Sequence, residues 1–251
     1  MTTPSEITEN YRRFSDMWNN ERESVFSQLG AYEEKFVQSY GAVAVMHAWN
    51  EFIISRNLSS SAEAFFLEAQ NDALTSHVMA RMGSWRAALK FLRSCIENVL
   101  FAAYYKDHLV ELRLWEAGTH RLTFAELHNY FEKHPDLSGV PPTYTGLEEI
   151  KKEYSTLSVA VHASAEPFRM TRTDDGTRLF LPDRARLGAW KTREQRVLRS
   201  LSLFLIGLFK QYLTGTAFPA LRSALARLIN TESYRKAISV HYGVAIPKTA
   251  R

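Results

Sequence analysis

Arg93 and Glu97 stand four residues apart in Leu92-Arg-Ser-Cys-Ile-Glu97, and Tyr154, Ser158 and His162 recur at four-residue steps in a second segment. On helices, each set shares one face. The residue types suit proton transfer and anion stabilisation. An imidazole titrates at about pH 6.5, so His162 can take or give a proton near neutrality. The guanidinium of Arg93 is a flat, permanent cation whose fork matches two phosphate oxygens. Glu97 is placed to orient it, and Tyr154 and Ser158 to position an anion or the imidazole. The same five residues also read as a buried polar network fixing the register of two helices. Neither reading needs a metal or a cofactor.

The elements that must position these groups are helices. Trp85, Leu89, Leu92, Ile96, Val99 and Leu100 form a stripe of period 3.6 inside a long helix from about Asp72 to Tyr105. A second helix covers Leu147–Ala165 and stops at Pro167. Residues 5–56 read as helix almost throughout, with Gly30 and Gly41 marking a break or a close helix crossing. Asn57–Ser61 is a turn in which Ser60 or Ser61 caps a helix over 62–70. Leu109–Glu116 forms a short helix ended by Gly118, and Thr123 with Glu126 makes a capping box for 124–133. His134–Gly146 reads as a loop, and 186–213, 218–229 and 233–240 as a helical C-terminal part. Asp175-Gly176 between alternating β-prone residues signals a hairpin. The predicted fold is all-α, an antiparallel bundle of long helices with one small β-hairpin near 168–182, in one domain spanning 1–251.

The composition of 251 residues, 45% hydrophobic and 23% charged with one cysteine, fits a globular chain that needs no disulfide framework. The opening MTTPSEITENYRRF has no apolar core of a signal peptide, and Leu201–Phe209 is too short for a membrane span. A cytoplasmic, non-membrane protein is expected. Charge is uneven. Met1–Phe168 holds 15 Lys and Arg against 22 Asp and Glu, whereas Arg169–Arg251 holds 16 against 5. The densest run, from Arg169 to Arg199, includes Arg172, Arg178 and Arg186. This asymmetry suggests an anionic partner such as RNA, and it equally fits a solvated helix face. The sequence lacks a P-loop, a dinucleotide fingerprint, a nucleophile elbow and a zincin motif. The remaining histidines read as caps or surface residues rather than metal ligands.

The pattern R-S-x-x-E on one helix and Y-x-x-L-S-x-x-V-H on another resembles bacterial HEPN-like helical domains, over roughly residues 75–168. The resemblance implies a core bundle, with the N-terminal helices 5–56 and the basic helices 186–240 as elaborations. It also implies a metal-independent endoribonuclease of a toxin or antiviral defence system, or a non-catalytic RNA- or protein-binding relative. A homodimer and an antitoxin or sensor protein are the partners it suggests. HEPN sites pair an Arg with a His in R-x4-6-H. His162 has no such arginine upstream, and Arg113/His120, Arg121/His128 and Arg235/His241 fit the spacing about as often as chance allows. The carry-over is therefore a split site, with Arg93 facing His162. In that site His162 would move the ribose 2′-OH or leaving 5′-oxygen proton, and Arg93 would stabilise the phosphorane-like charge. Arg172, Arg178 and Arg186 would line the cleft and bind RNA.

Overall fold

A computed structural model describes residues 4–162, 168–170, 179–215 and 217–248. The chain runs α1 (Pro4–Gly30), α2 (Glu33–Trp49), a π-helical turn (Asn50–Ile54), α3 (Ser55–Asn57), α4 (Ser60–Arg81), α5 (Trp85–Asp107) and α6 (Leu109–Glu116). It continues with α7 (Phe124–Glu132), α8 (Pro142–Thr145), α9 (Leu147–Val161), α10 (Arg184–Leu208), α11 (Lys210–Leu213), α12 (Pro219–Leu225) and α13 (Glu232–Tyr242). The all-α expectation holds. Residues 171–178, which carry the expected hairpin turn, lie outside the described residues, and the described flanks 168–170 and 179–182 form no strand.

Local rules account for several boundaries. Thr123 accepts the Glu126 backbone N–H while the Glu126 carboxylate accepts the Thr123 N–H, the capping box expected from their spacing. Two expectations are corrected. The N-cap of α4 is Ser59, whose side chain accepts the Ala62 N–H, rather than Ser60 or Ser61. The single helix expected from Asp72 to Tyr105 is two. Gly83 adopts φ +69°, a left-handed conformation that favours glycine, and folds α5 back along α4. The apolar stripe continues on both sides of this turn, which is why periodicity alone merges them.

Helix α5 packs antiparallel to both α4 and α9, and α9 antiparallel to α10. The second half of α10 is the centre of the core. Residues Val197, Leu198 and Ser200–Leu208 are all buried, as the apolar run predicts. No helix of the described residues is long and apolar enough to cross a membrane.

Where α2, α4 and α10 meet lies a largely buried polar cluster. Ser39, fully buried, donates its hydroxyl to Glu194. A hydroxyl has one proton, so the 2.8 Å contact between His77 Nδ1 and Ser39 Oγ requires the imidazole to donate. Lys191 Nζ completes the cluster, 2.9 Å from the other Glu194 oxygen. Helix α1 contrasts with all this. Of its 27 residues only Val25 and Leu29 are buried, so its first turns project from the bundle.

Candidate functional site: a closed polar triad and an open cationic cleft

The antiparallel pairing of α5 and α9 brings Arg93, Glu97 and Tyr154 together. Arg93 Nη2 donates to Glu97 Oε1 at 3.1 Å and to the Tyr154 hydroxyl at 2.7 Å, and that hydroxyl donates to the same Glu97 oxygen at 2.7 Å. Arg93 Cζ lies 4.9 Å from the Tyr154 ring centre, and Phe124 stacks on that ring at 3.6 Å. Burial, and the bond from the hydroxyl to Glu97, hold the Tyr154 phenol above its ordinary value of 10.0, with Arg93 opposing. Each polar tip answers another, so the triad joins two helices. The Arg93 Nε, itself buried, has no partner among the described residues.

The other residues singled out by the sequence stand apart from this triad. Ser158 donates its hydroxyl to the Tyr154 carbonyl one turn back, at 2.8 Å. His162 is the exposed C-cap of α9, its backbone N–H bonded to the Ser158 carbonyl at 3.1 Å. Eight residues separate it from Tyr154, about 12 Å along the helix axis. The α5 arginine level with this end is Arg86 rather than Arg93, its Nη2 donating to the Val161 carbonyl at 2.7 Å. Arg186 donates twice to the Arg169 carbonyl at 3.0 Å and pairs with Asp183 at 3.7 Å. Arg172 and Arg178 lie outside the described residues.

In the described part of the basic run up to Arg199, Arg186, Lys191, Arg193 and Arg196 are paired with carboxylates. Glu153, 1% exposed, takes Arg193 at 2.8 Å and Arg196 at 3.2 Å, and Lys191 is held by Glu194. Three of the histidines read as caps or surface residues are likewise engaged in structure, and two of these are buried rather than on the surface. His108 Nδ1 contacts the Tyr104 carbonyl, His128 the Leu147 carbonyl and His134 the Asp107 carboxylate. Among the described residues no group of three or more His, Cys, Asp or Glu could hold a metal.

Free positive charge gathers elsewhere. A cleft of about 850 Å³ opens between α2, α10, the α12–α13 connection, α13 and the segment after α13. Arg199, Arg227, Arg235 and Lys248 line it, with Gln38, Gln195 and Asn230 as neutral polar neighbours and no described carboxylate in its wall. Arg199 is held over the Tyr234 ring at 5.3 Å, and neither its guanidinium nor that of Arg227 has an ion pair or hydrogen bond to a described residue. Arg235 is fixed from behind by the Asn230 carbonyl at 2.9 Å and by Glu232 at 3.0 Å. Gly41 makes room, since a Cβ there would lie 3.2 Å from Arg227 Nη1. Sequence reasoning missed this cleft. Three of its four cations come from the C-terminal 25 residues, well away from the dense run, and nothing in their spacing forecasts convergence.

Compared with known proteins, the chain matches no family model, no curated protein and no solved structure.

Proposed function

We propose that this chain is a non-catalytic, HEPN-like helical module that binds RNA through the cleft between α2, α10, the α12–α13 connection and α13. The observation that carries this reading is a concave wall bearing Arg199, Arg227, Arg235 and Lys248 and no described carboxylate. Unpaired cations in a cleft attract phosphate and release its counterions on contact, which gives affinity without reading sequence. The HEPN-like reading draws support from the antiparallel packing of α5 on α9, which joins the two segments carrying the resemblance.

The nuclease reading is the weaker one. The Arg93 fork is directed at Glu97 and Tyr154, and α9 carries His162 two turns away from it. A ribonuclease would instead draw on Arg86 with His162, the arginine and exposed imidazole at the same end of the α5–α9 pair.

The test is a fluorescence-anisotropy titration with a single-stranded RNA at several salt concentrations, beside a cleavage assay in EDTA. Salt-dependent binding that Arg199→Ala and Arg227→Ala weaken, with the RNA left intact, is the expected result. No binding at low salt overturns the module. Cleavage lost in both Arg86→Ala and His162→Ala replaces it with the nuclease.

A further inference from the structure

The cleft is a pocket rather than a track, and this bears on which part of an RNA it takes. A strand bound by its internal phosphodiesters needs cations spaced along a groove, one per phosphate. Here four cations face a single volume of about 850 Å³, inside the range of sites that enclose small ligands. Glu232, paired with Arg235, lies close to Lys248 and offsets part of that charge. The remainder still exceeds the single negative charge of one phosphodiester. A phosphate monoester carries between about 1.5 and 2 negative charges at pH 7 and three free oxygens.

The walls suit the rest of a terminal nucleotide. Val37, Ala42 and Leu228 offer apolar surface to a base or ribose, and Gln38, Gln195 and Asn230 offer neutral hydrogen-bonding groups. Two of the cations are also held in place before any ligand arrives. Tyr234 lies beneath Arg199, and Asn230 and Glu232 fix Arg235. Preorganised donors lose less freedom on binding and so discriminate better.

We infer that this cleft seats the phosphorylated end of an RNA strand, a terminal phosphate monoester, in preference to its internal phosphodiesters. The inference rests on the RNA-binding reading and narrows it.

The test compares one ten-nucleotide single-stranded RNA in three forms: 5′-phosphorylated, 3′-phosphorylated and with hydroxyls at both ends. Anisotropy is read on the full chain and on Arg227→Ala and Gly41→Ala, with circular dichroism to establish that each variant is folded. The expected result is at least tenfold tighter binding of one phosphorylated form than of the hydroxyl form, with the preference reduced in both variants. Which form wins identifies the end. Equal affinity for all three forms, still weakened by Arg227→Ala, overturns the end preference and leaves the RNA-binding reading standing. No binding of any form overturns both. Tight binding of a free nucleoside monophosphate with none of the oligonucleotide also overturns it, in favour of a small-molecule site.

Discussion

Helices α2 and α10 meet along two edges that treat charge in opposite ways. On one edge Ser39, Lys191 and Glu194 are buried in the core with the half-buried His77 against them; Ser39 links His77 to Glu194, and Lys191 pairs with Glu194. On the other, Gln38 and Gly41 from α2 and Gln195 and Arg199 from α10 face an open cleft where the guanidinium groups of Arg199 and Arg227 meet no described carboxylate. Neighbouring residues on the same two helices, Ser39 beside Gln38 and Glu194 beside Gln195, thus belong to different regimes. Desolvation decides between them. A buried charge without a partner costs several kcal/mol, so the core edge must be closed. At the exposed edge water solvates the charge at little cost, and the cation stays available to a ligand.

Four substitutions test that contrast, the largest expected effect first. Glu194→Ala strands Lys191 in the core and is expected to lower stability by about 3–5 kcal/mol in urea unfolding. A loss below about 1 kcal/mol would erase the distinction between the two edges. Arg227→Ala at the cleft should do the reverse. Its stability should stay within about 0.5 kcal/mol of wild type, while RNA affinity falls about tenfold, or about 1.4 kcal/mol. The log–log salt slope should shrink by about 0.7 for each phosphate that the variant no longer neutralises.

Tyr154→Phe removes the hydroxyl that bridges Arg93 and Glu97. It should cost about 1 kcal/mol of stability with RNA affinity unchanged, as expected of a pin between α5 and α9. A fall in affinity larger than the fall in stability would bring this triad into the binding site. His162→Ala should be silent in both measurements, and loss of RNA affinity there would move the interface to the end of α9.

A pH series sharpens the same comparison. Burial, with Arg81 and Lys191 nearby, holds His77 below its ordinary value of 6.5. The folded state therefore favours the neutral ring, and this contribution is complete above about pH 6.5 and lost as pH falls below it. The urea midpoint of wild type should drop on acidification through that window, relative to His77→Gln. Equal slopes in the two proteins would show that the ring is not desolvated.

What the sequence disclosed was local. Thr123–Glu126 and Arg93–Glu97 are visible because their partners lie within one helical turn, where spacing determines contact. Tyr154 as a member of the stripe facing Arg93 was likewise legible, since one helix face docks on another. His162 was not, because eight residues of helix lead away from that contact and no spacing rule says where the docking ends. Gly83 hid inside a continuous apolar stripe. The cleft was the least legible feature, because Arg199, Arg227, Arg235 and Lys248 come from four separate pieces of chain. Their meeting depends on how α12 and α13 turn back toward α2, which is decided by tertiary packing.

The Ser39–Glu194 bond spans 155 positions of sequence, and this long reach sets an order of assembly. Helices α4 and α5 are joined by a tight turn and can form their hairpin from local contacts alone, the fast class of folding event. Ser39 and His77 cannot be completed until α10 arrives with Glu194 and Lys191. During synthesis, the first 160 or so residues would leave the ribosome with a half-built polar cluster and an empty apolar seat for Val197–Leu208. Until α10 fills that seat, apolar surface meant for it stays uncovered, the kind of exposure that makes folding intermediates prone to aggregate.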